Sequence, residues 1–434
     1  MRRALGVALA LSCAACALFV PTPDDAARLA EWQRKTVSLR QLEFARAVEL
    51  RWVTREEMAQ ALTYEAGEEL EPARVAQERD ALAALGALAP QVDLAKEVLA
   101  LYSSQAAGIY SATRNTLFVS DEMSDPMKQI LLDPIVVHEL THALQDQNFP
   151  QVLDFMLGLR REDDVGRALS GTIEGDATVT MFGAFPGGAH SDKLEIAERS
   201  RDAMLAQLDD PDSEVGKAPR LLAVDLVFPY AYGTVTAARR YQREGNPGLD
   251  AELREPPLAS LQLLHPETRG TGIEFVRLPL DALRSHGRLA GCGFEEDNVA
   301  GALTLRVILE EARDGDALDS LVSGWRGDRY ALIDCAGKWE LLWLTRWRSP
   351  DAAARFADAY RELAPGIAAR TSLSGAAEVV VREKTALVLT PDLRPYADEI
   401  LGAAEIRSYA AFDAWVADGC FPEGACPTRA SRTP

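Results

Sequence analysis

The stretch DPIVVHELTHALQDQ, residues 133–147, decides how this chain is interpreted, because it places two histidines four residues apart with a glutamate between them. Asp133 and Pro134 predict a helix start, since aspartate caps helices well and proline suits the first helical position. Side chains four residues apart lie on one helix face, so His138 and His142 can hold a single ion between them. A separate apolar stripe predicts the buried face of this helix: Val136, Val137, Leu140 and Leu144.

The residue types in this pattern favour zinc, which binds nitrogen and carboxylate ligands in a tetrahedral arrangement. Glu139 projects beside the histidines but is rotated away from them. That position suits it to take a proton from a zinc-bound water, and not to bind the ion. The chain has only five histidines, so chance produces an HExxH pattern with a probability of roughly 0.004. A helix that carries the pattern without binding metal is the alternative.

A catalytic zinc ion needs a third protein ligand and one open position. Glu174 in the segment GTIEGDA is the best candidate, on a second helix predicted over residues 167–185. Gly171 and Gly175 would let this helix approach the histidine helix closely. His190 is the rival ligand, and Asp176 is expected to support a ligand through a hydrogen bond or to cap locally.

Composition and charge limit the classes of function. The chain has 434 residues, of which 47% are hydrophobic and 26% charged, as in globular proteins of two or three domains. The formal net charge is −20. An acidic surface repels phosphate backbones, so nucleic acid is excluded as an expected partner.

The N-terminus has the composition of a targeting segment. A basic MRR precedes the apolar run ALGVALALS, which is too short to cross a bilayer and suits a secretory signal. The following SCAAC resembles a bacterial lipoprotein cleavage site. We therefore expect a signal peptide over residues 1–16 and a lipid anchor on Cys16, with Cys13 as the alternative. The expected location is the bacterial cell envelope, either periplasm or outer membrane, or secretion if no lipid is attached.

Four further cysteines would meet an oxidising compartment there. Cys420 and Cys426 can close a small loop, and Cys292 and Cys335 are the other possible pair. Four cysteines allow three pairings, so the sequence leaves the connectivity open.

The rest of the chain predicts an α+β protein. Residues 17–105 have mostly helical periodicity, including the segment 24–50, and residues 107–122 suggest a strand pair. A metallopeptidase domain is expected over residues 106–290. Residues 291–434 alternate between helical and strand patterns, which predicts a separate C-terminal α+β domain.

The motifs resemble a known family. HELTHALQD is similar to the active helix of thermolysin-like enzymes, and EGDA resembles the glutamate helix of zincin metallopeptidases of the gluzincin-like type. Residues 80–270 are similar to uncharacterised bacterial lipoprotein-type zincins in several further segments: ALGAL, AGIYSATRNTLFV, EGDAT, FPYAYG and PPLASLQLLHPE. The interval before Glu174 is longer than in thermolysin itself.

The resemblance implies a zincin-like, mostly helical domain with a small edge sheet. It also implies Zn²⁺ on His138, His142 and Glu174, with Glu139 as general base. Peptide or protein would be the substrate, paired along the strand near residues 117–120. Three residues are candidates for holding the oxyanion: Tyr230, Tyr232 and His265.

Two other functions remain open at this point. The chain could be a catalytically silent zincin-fold lipoprotein that serves as a binding or structural module. It could also be a zinc hydrolase that acts on a non-peptide amide or on cell-wall peptide. The sequence predicts no oligomeric state.

Overall fold

The computed structural model describes residues 23–66, 71–105, 107–122, 125–285, 289–422 and 424–426. The predicted signal segment with Cys13 and Cys16 lies outside these residues. The mixed α+β class is confirmed, with helices in the majority and several small sheets.

In chain order, the helices are α1 Pro23–Arg40, α2 Arg55–Ala66, α3 Pro72–Leu85, α4 Leu94–Gln105, α5 Asp125–Asn148, α6 Pro150–Gly158, α7 Asp163–Phe182, α8 Lys193–Leu208, α9 Glu214–Lys217, α10 Arg220–Phe228, α11 Thr234–Glu244, α12 Asn246–Arg254, α13 Leu261–Leu264, α14 Leu280–Arg284, α15 Gly301–Leu309, α16 Gly315–Val322, α17 Pro350–Arg370, α18 Ala397–Ala403 and α19 Phe412–Ala417. A π-helical turn, Pro229–Gly233, joins α10 to α11.

The strands form three sheets: β1 Glu49–Val53, β2 Gly108–Ser111, β3 Thr116–Ser120, β4 Ile273–Arg277, β5 Gly293–Asn298, β6 Trp325–Cys335, β7 Lys338–Trp347, β8 Glu378–Arg382, β9 Thr385–Leu389 and β10 Glu405–Tyr409. Their orders are β1-β3-β2, β10-β4 and β5-β6-β7-β9-β8.

The first sheet corrects two expectations. Residues 49–53 were predicted to be helical, but they form β1, which pairs in parallel with β3. Leu50 and Trp52 lie on one face of this strand and pack into the same hydrophobic cluster, which explains why the segment is extended. The expected peptide-binding strand at residues 117–120 is β3, which has β1 on one side and β2 on the other. Its backbone groups are therefore already paired, and the free edge next to it belongs to β2.

Helix α5 begins earlier than predicted. Asp133 and Pro134 were expected to start it, but it begins at Asp125 and Pro134 lies inside. Asp133 does not cap the helix because its carboxylate accepts hydrogen bonds from Trp32 Nε1 (2.8 Å) and Lys35 Nζ (2.9 Å). These bonds attach α1 to the histidine helix. The predicted apolar stripe is confirmed as fully buried.

Helix α7 passes close to the π-helical turn and not only to α5. A Cβ added at Gly175 would lie 2.4 Å from the carbonyl oxygen of Gly233, and one at Gly233 would lie 2.1 Å from that of Gly171. The glycines were expected to admit the histidine helix. They instead admit the turn that carries Tyr230, because backbone atoms of Gly233 lie within 4 Å of the Cβ position at both glycines.

The C-terminal region has the predicted alternation of helices and strands: β6 to β9 form most of a sheet on which α17 packs. Trp325, Trp343 and Trp347 are among its fully buried side chains. Two disulfides join Cys292 to Cys335 and Cys420 to Cys426. Strand β4 precedes residue 291 in the chain, yet it pairs with β10.

The start of α7 is attached to this region by buried charge. Arg329 on β6 binds Glu162 and also donates to Asp297 at 3.0 Å. Arg167 binds Asp225 through two nitrogens, at 2.6 and 3.0 Å. The helix that carries Glu174 is thereby fixed at its amino-terminal end.

Among the described residues, one helical stretch has the length and apolarity to cross a membrane, Arg220–Glu244. In its most apolar window 72% is buried inside the protein. Core helices commonly have this composition.

Candidate metal centre

Three predicted ligands converge on one point. His138 Nε2 lies 3.1 Å from Glu174 Oε2, and His142 Nε2 lies 3.1 Å from His138 Nε2. The third separation, from His142 Nε2 to Glu174 Oε2, is 3.4 Å. Ligand atoms at about 2.0–2.1 Å from a tetrahedral ion are roughly 3.3 Å apart, so the spacing fits one zinc-sized ion.

Gln145 fixes the protonation of His142. Its Nε2 donates to the Ile173 carbonyl and to Asp176 Oδ2, both at 2.9 Å. Its Oε1 therefore faces His142 Nδ1 at 2.8 Å, and this nitrogen must be the donor. The neutral imidazole then has a lone pair on Nε2, which is the atom directed at the other two ligands.

A second layer of charge holds Gln145 in place. Asp176 Oδ1 accepts a hydrogen bond from Arg40 Nε at 2.7 Å, and Arg40 also lies 2.8 Å from Asp250. Asp176 is 2% exposed and Arg40 is fully buried. Asp176 was expected to support a ligand or to cap locally; it contacts Gln145, which stands between it and His142.

The donor set favours a cation at its centre. Burial opposes the charged form of His142, but the carboxylates of Glu174 and Glu139 raise its pKa to about 9. Burial by itself would raise the pKa of Glu174, but the two imidazoles beside it lower the pKa of this carboxyl below its usual value. No lysine or arginine among the described residues forms an ion pair with Glu174. A proton on His142 thus supplies the positive charge that a divalent ion would supply.

Glu139 does not join the three ligand atoms. Its Oε2 accepts a hydrogen bond from the backbone N–H of Tyr110 at 2.8 Å, and its side chain is half-buried. A Cβ at Gly108 would lie 3.0 Å from Glu139 Cγ, so β2 passes directly over this glutamate. The carboxylate is held by strand β2 beside the cluster, where a general base would stand.

Tyr230 is the candidate among the three that reaches the cluster. Its ring centroid lies 6.3 Å from that of His138, and its hydroxyl lies within electrostatic range of the Glu174 carboxylate. Burial and the carboxylates of Glu174 and Glu139 raise the pKa of Tyr230, so the hydroxyl stays protonated and can donate. It lies on the π-helical turn, a type of distortion that is frequent at functional sites.

The other candidates lie elsewhere. Tyr232 packs against Phe228, with ring centroids 5.7 Å apart. His265 pairs with Glu267 at 3.4 Å, and His190 is exposed in a short 3-10 turn. In the described chain, the group of residues that could hold a metal consists of His138, His142 and Glu174.

Sequence reasoning missed three supporting residues: Arg40, Tyr110 and Gln145. Gln145 had a usable signal, because it follows His142 by three residues on the same helix face. Arg40 and Tyr110 are distant in sequence from the residues they contact, and no local pattern marks them.

Comparison with known proteins adds little to the site. A family described as Domain of unknown function (DUF8575) matches residues 288–401. This segment contains the whole five-stranded sheet and none of the cluster residues. No curated protein and no solved structure matches the chain.

Proposed function

We propose that the protein is a zinc-dependent metallopeptidase of zincin-like fold. The observation that carries the proposal is the convergence of two imidazole nitrogens and one carboxylate oxygen within 3.1–3.4 Å of one another. His142 is oriented by Gln145, and Glu139 stands beside the cluster on its own hydrogen bond. This set matches the ligands and general base of a catalytic zinc site.

A bound divalent ion would polarise a carbonyl and lower the pKa of a water from 15.7 toward about 7. Glu139 would accept the proton of the attacking water and later pass it to the leaving amine. The Tyr110 N–H fixes the carboxylate for both transfers. Tyr230 would donate its hydroxyl hydrogen to the oxygen on which negative charge develops.

The free edge of β2 gives an extended peptide a place to bind. In its antiparallel pairing with β3, alternate residues of β2 direct their backbone groups away from β3. Gly108 and Tyr110 are in these outward positions. The Tyr110 N–H is already bonded to Glu139, so a peptide would pair with the other outward backbone groups. A peptide that adds to this edge would lie across the base and the cluster.

The test is to measure metal content and hydrolysis of quenched peptides on the same preparations. Glu139→Gln is expected to keep its zinc and lose at least 1,000-fold in kcat/KM, because the base is removed. Glu174→Ala is expected to lose both zinc and activity. Glu195→Gln, an exposed substitution on α8, serves as the control. Wild-type protein that takes up zinc but hydrolyses no faster than Glu139→Gln would refute the enzyme and favour a binding or structural module.

The proposed location is the bacterial cell envelope, through a lipid on Cys16 or Cys13. Two disulfides in the described chain support an oxidising compartment. Mass spectrometry of the mature N-terminus from membranes tests this part. An unmodified N-terminus in the soluble fraction would favour secretion.

A further inference from the structure

A cavity of about 80 Å³ lies beside the metal centre. Its lining includes Ser170, one turn before Glu174 on α7, and Pro229, which precedes Tyr230. Tyr102 also lines it, is 41% exposed, and lies within electrostatic range of the Tyr230 hydroxyl. The cavity therefore lies within one helical turn of Glu174 and next to Tyr230 in the chain, although the side chains that line it include neither the three ligand residues nor Glu139.

The far side of the cavity is negatively charged. Its charged lining residues are Glu78, Asp163, Asp225 and Arg167, which sum to −2. Arg167 is already committed to Asp225 and to the Ala300 carbonyl. Glu78 and Asp163 are half-buried.

The neighbouring Glu296 reports this negative field. The pKa of Glu296 is raised to about 7, mainly by burial of its carboxyl group. The negative charges of Asp163 and Glu78 raise it further, and the positive charge of Arg74 lowers it. A cation that enters the cavity would meet a favourable potential.

A buried hydroxyl also lines the cavity. Thr304 on α15 is 0% exposed, and its Oγ1 has no hydrogen-bond partner in the described chain. The Ala300 carbonyl, which lies one turn earlier, accepts from Arg167 Nη1 at 2.9 Å. A buried polar atom without a partner costs free energy, and a ligand that donates a hydrogen bond would remove that cost.

Size and reach fit a long, slender side chain. A cavity needs about 10–15 Å³ to hold one water molecule, so this one has room for roughly five to eight waters. Apolar side chains line its middle, including Leu82, Val98 and Leu222. Asp163 precedes Glu174 on the same helix by about 16 Å along the axis. An extended peptide advances about 3.4 Å per residue, so a long side chain one or two residues from the cleaved bond can point toward it.

We propose that this cavity is a specificity pocket that receives a lysine side chain of the peptide substrate, one or two residues from the cleaved bond. Its methylene groups would contact the apolar wall. Its ammonium group would lie between Thr304 and the carboxylates of Asp163 and Glu78. The inference rests on the proposed peptidase function and names the substrate class of that site.

The test compares quenched peptides that are identical except for lysine or norleucine, which differ at the chain end by the charged amine. The exchange is made at each of the two positions on either side of the cleaved bond. Zinc-loaded wild type is expected to show at least a 10-fold higher kcat/KM for lysine at one of them. The inactive Glu139→Gln protein is expected to bind that lysine peptide at least 10-fold more tightly by calorimetry.

Variants assign the preference to the cavity. Asp163→Asn is expected to reduce the lysine preference to threefold or less, with the norleucine peptide little affected. Glu78→Gln provides a second variant, should Asp163→Asn fold poorly. Asp212→Asn, an exposed aspartate between α8 and α9, is the matched control and should keep the full preference.

Two failures can be told apart. Cleavage without a lysine preference at any position, or a preference unchanged in both variants, overturns the pocket and leaves the peptidase intact. Zinc-loaded protein that cleaves no peptide and whose Glu139→Gln form binds none overturns the proposed function and the pocket with it.

Discussion

At the amino-terminal end of α7, Glu162 and Arg167 are held by fixed partners of opposite charge, whereas further along the same helix Glu174 faces two imidazoles. Asp164, also at the amino-terminal end of α7, accepts two hydrogen bonds from Ser260. The ion pairs of Glu162 and Arg167 are complete within the protein. The negative charge of Glu174 is balanced only when the two imidazoles hold a cation, which is either a proton or a metal ion.

The difference between these two ends of α7 distinguishes buried charges that hold the structure from buried charges that can bind a ligand. A buried ion pair whose partners are all satisfied fixes the position of an element, and removing one partner leaves an uncompensated charge. A buried carboxylate that faces two imidazole nitrogens has the composition of a ligand set. One helix carries both, so the structural end can hold the functional end in position.

The largest effect is expected from Arg329→Met. It leaves the Glu162 carboxylate buried without its cation, which should lower the free energy of unfolding by about 3–5 kcal/mol. Urea unfolding measures the loss. Arg382→Met, at an exposed pair with Asp398, should change stability by less than about 0.5 kcal/mol. Equal stability of the two variants would show that the amino-terminal end of α7 is not held by this charge.

Gly175→Ala should come next, because the added Cβ would lie 2.4 Å from the Gly233 carbonyl. The turn that carries Tyr230 must move, at an expected cost of about 1–3 kcal/mol together with a loss of hydrolysis. Gly366→Ala is the matched helical control, since its Cβ meets nothing closer than 3.9 Å. Helix propensity predicts that the control is neutral or stabilising. Unchanged melting and activity in Gly175→Ala would argue against a tight crossing.

Gln145→Leu tests the metal end directly. Without the Gln145 oxygen, His142 can turn or place its proton on Nε2, so zinc affinity should fall by about 10–100-fold. Competition with a chromophoric chelator on folded protein measures the affinity. Gln147→Leu, on the same helix but bonded to the backbone of Arg46, should bind zinc like wild type. If both variants bind equally, the orientation of His142 does not depend on this amide.

The smallest effect concerns Glu296, whose pKa is raised to about 7, mainly by burial. The folded state then holds a proton that the unfolded state releases near pH 4.5, so wild-type stability falls as pH rises from about 4.5 through 7. Glu296→Gln removes this loss. A pKa raised from 4.5 to about 7 corresponds to at most about 3.4 kcal/mol, and solvent screening of this partly exposed carboxylate reduces the expected gain in stability to about 1 kcal/mol at pH 8. The two proteins should be nearly equal at pH 4.5. Urea unfolding at both values checks the prediction, and a constant difference between them would contradict it.

Local patterns predicted the local structure well. The α+β class, the strands β6 to β9 and the buried stripe of α5 follow from periodicities of two and of three to four residues. Residues 49–53 were misjudged because a five-residue strand beside a helical segment has too little alternation to stand out. The early start of α5 was missed because Asp133 bonds to Trp32 and Lys35, which are about 100 residues away.

The sequence by itself determined that two imidazoles share one helix face with a glutamate rotated beside them, because helix geometry fixes the directions of side chains one and four residues apart. It also marked Glu174 and its glycines as unusual for a helix interior. Only the tertiary structure decided that Glu174 meets the histidines, that Gln145 orients His142, and that the glycines admit the Tyr230 turn. These contacts join segments far apart in the chain, and their geometry depends on the packing of several elements at once, which no local pattern encodes.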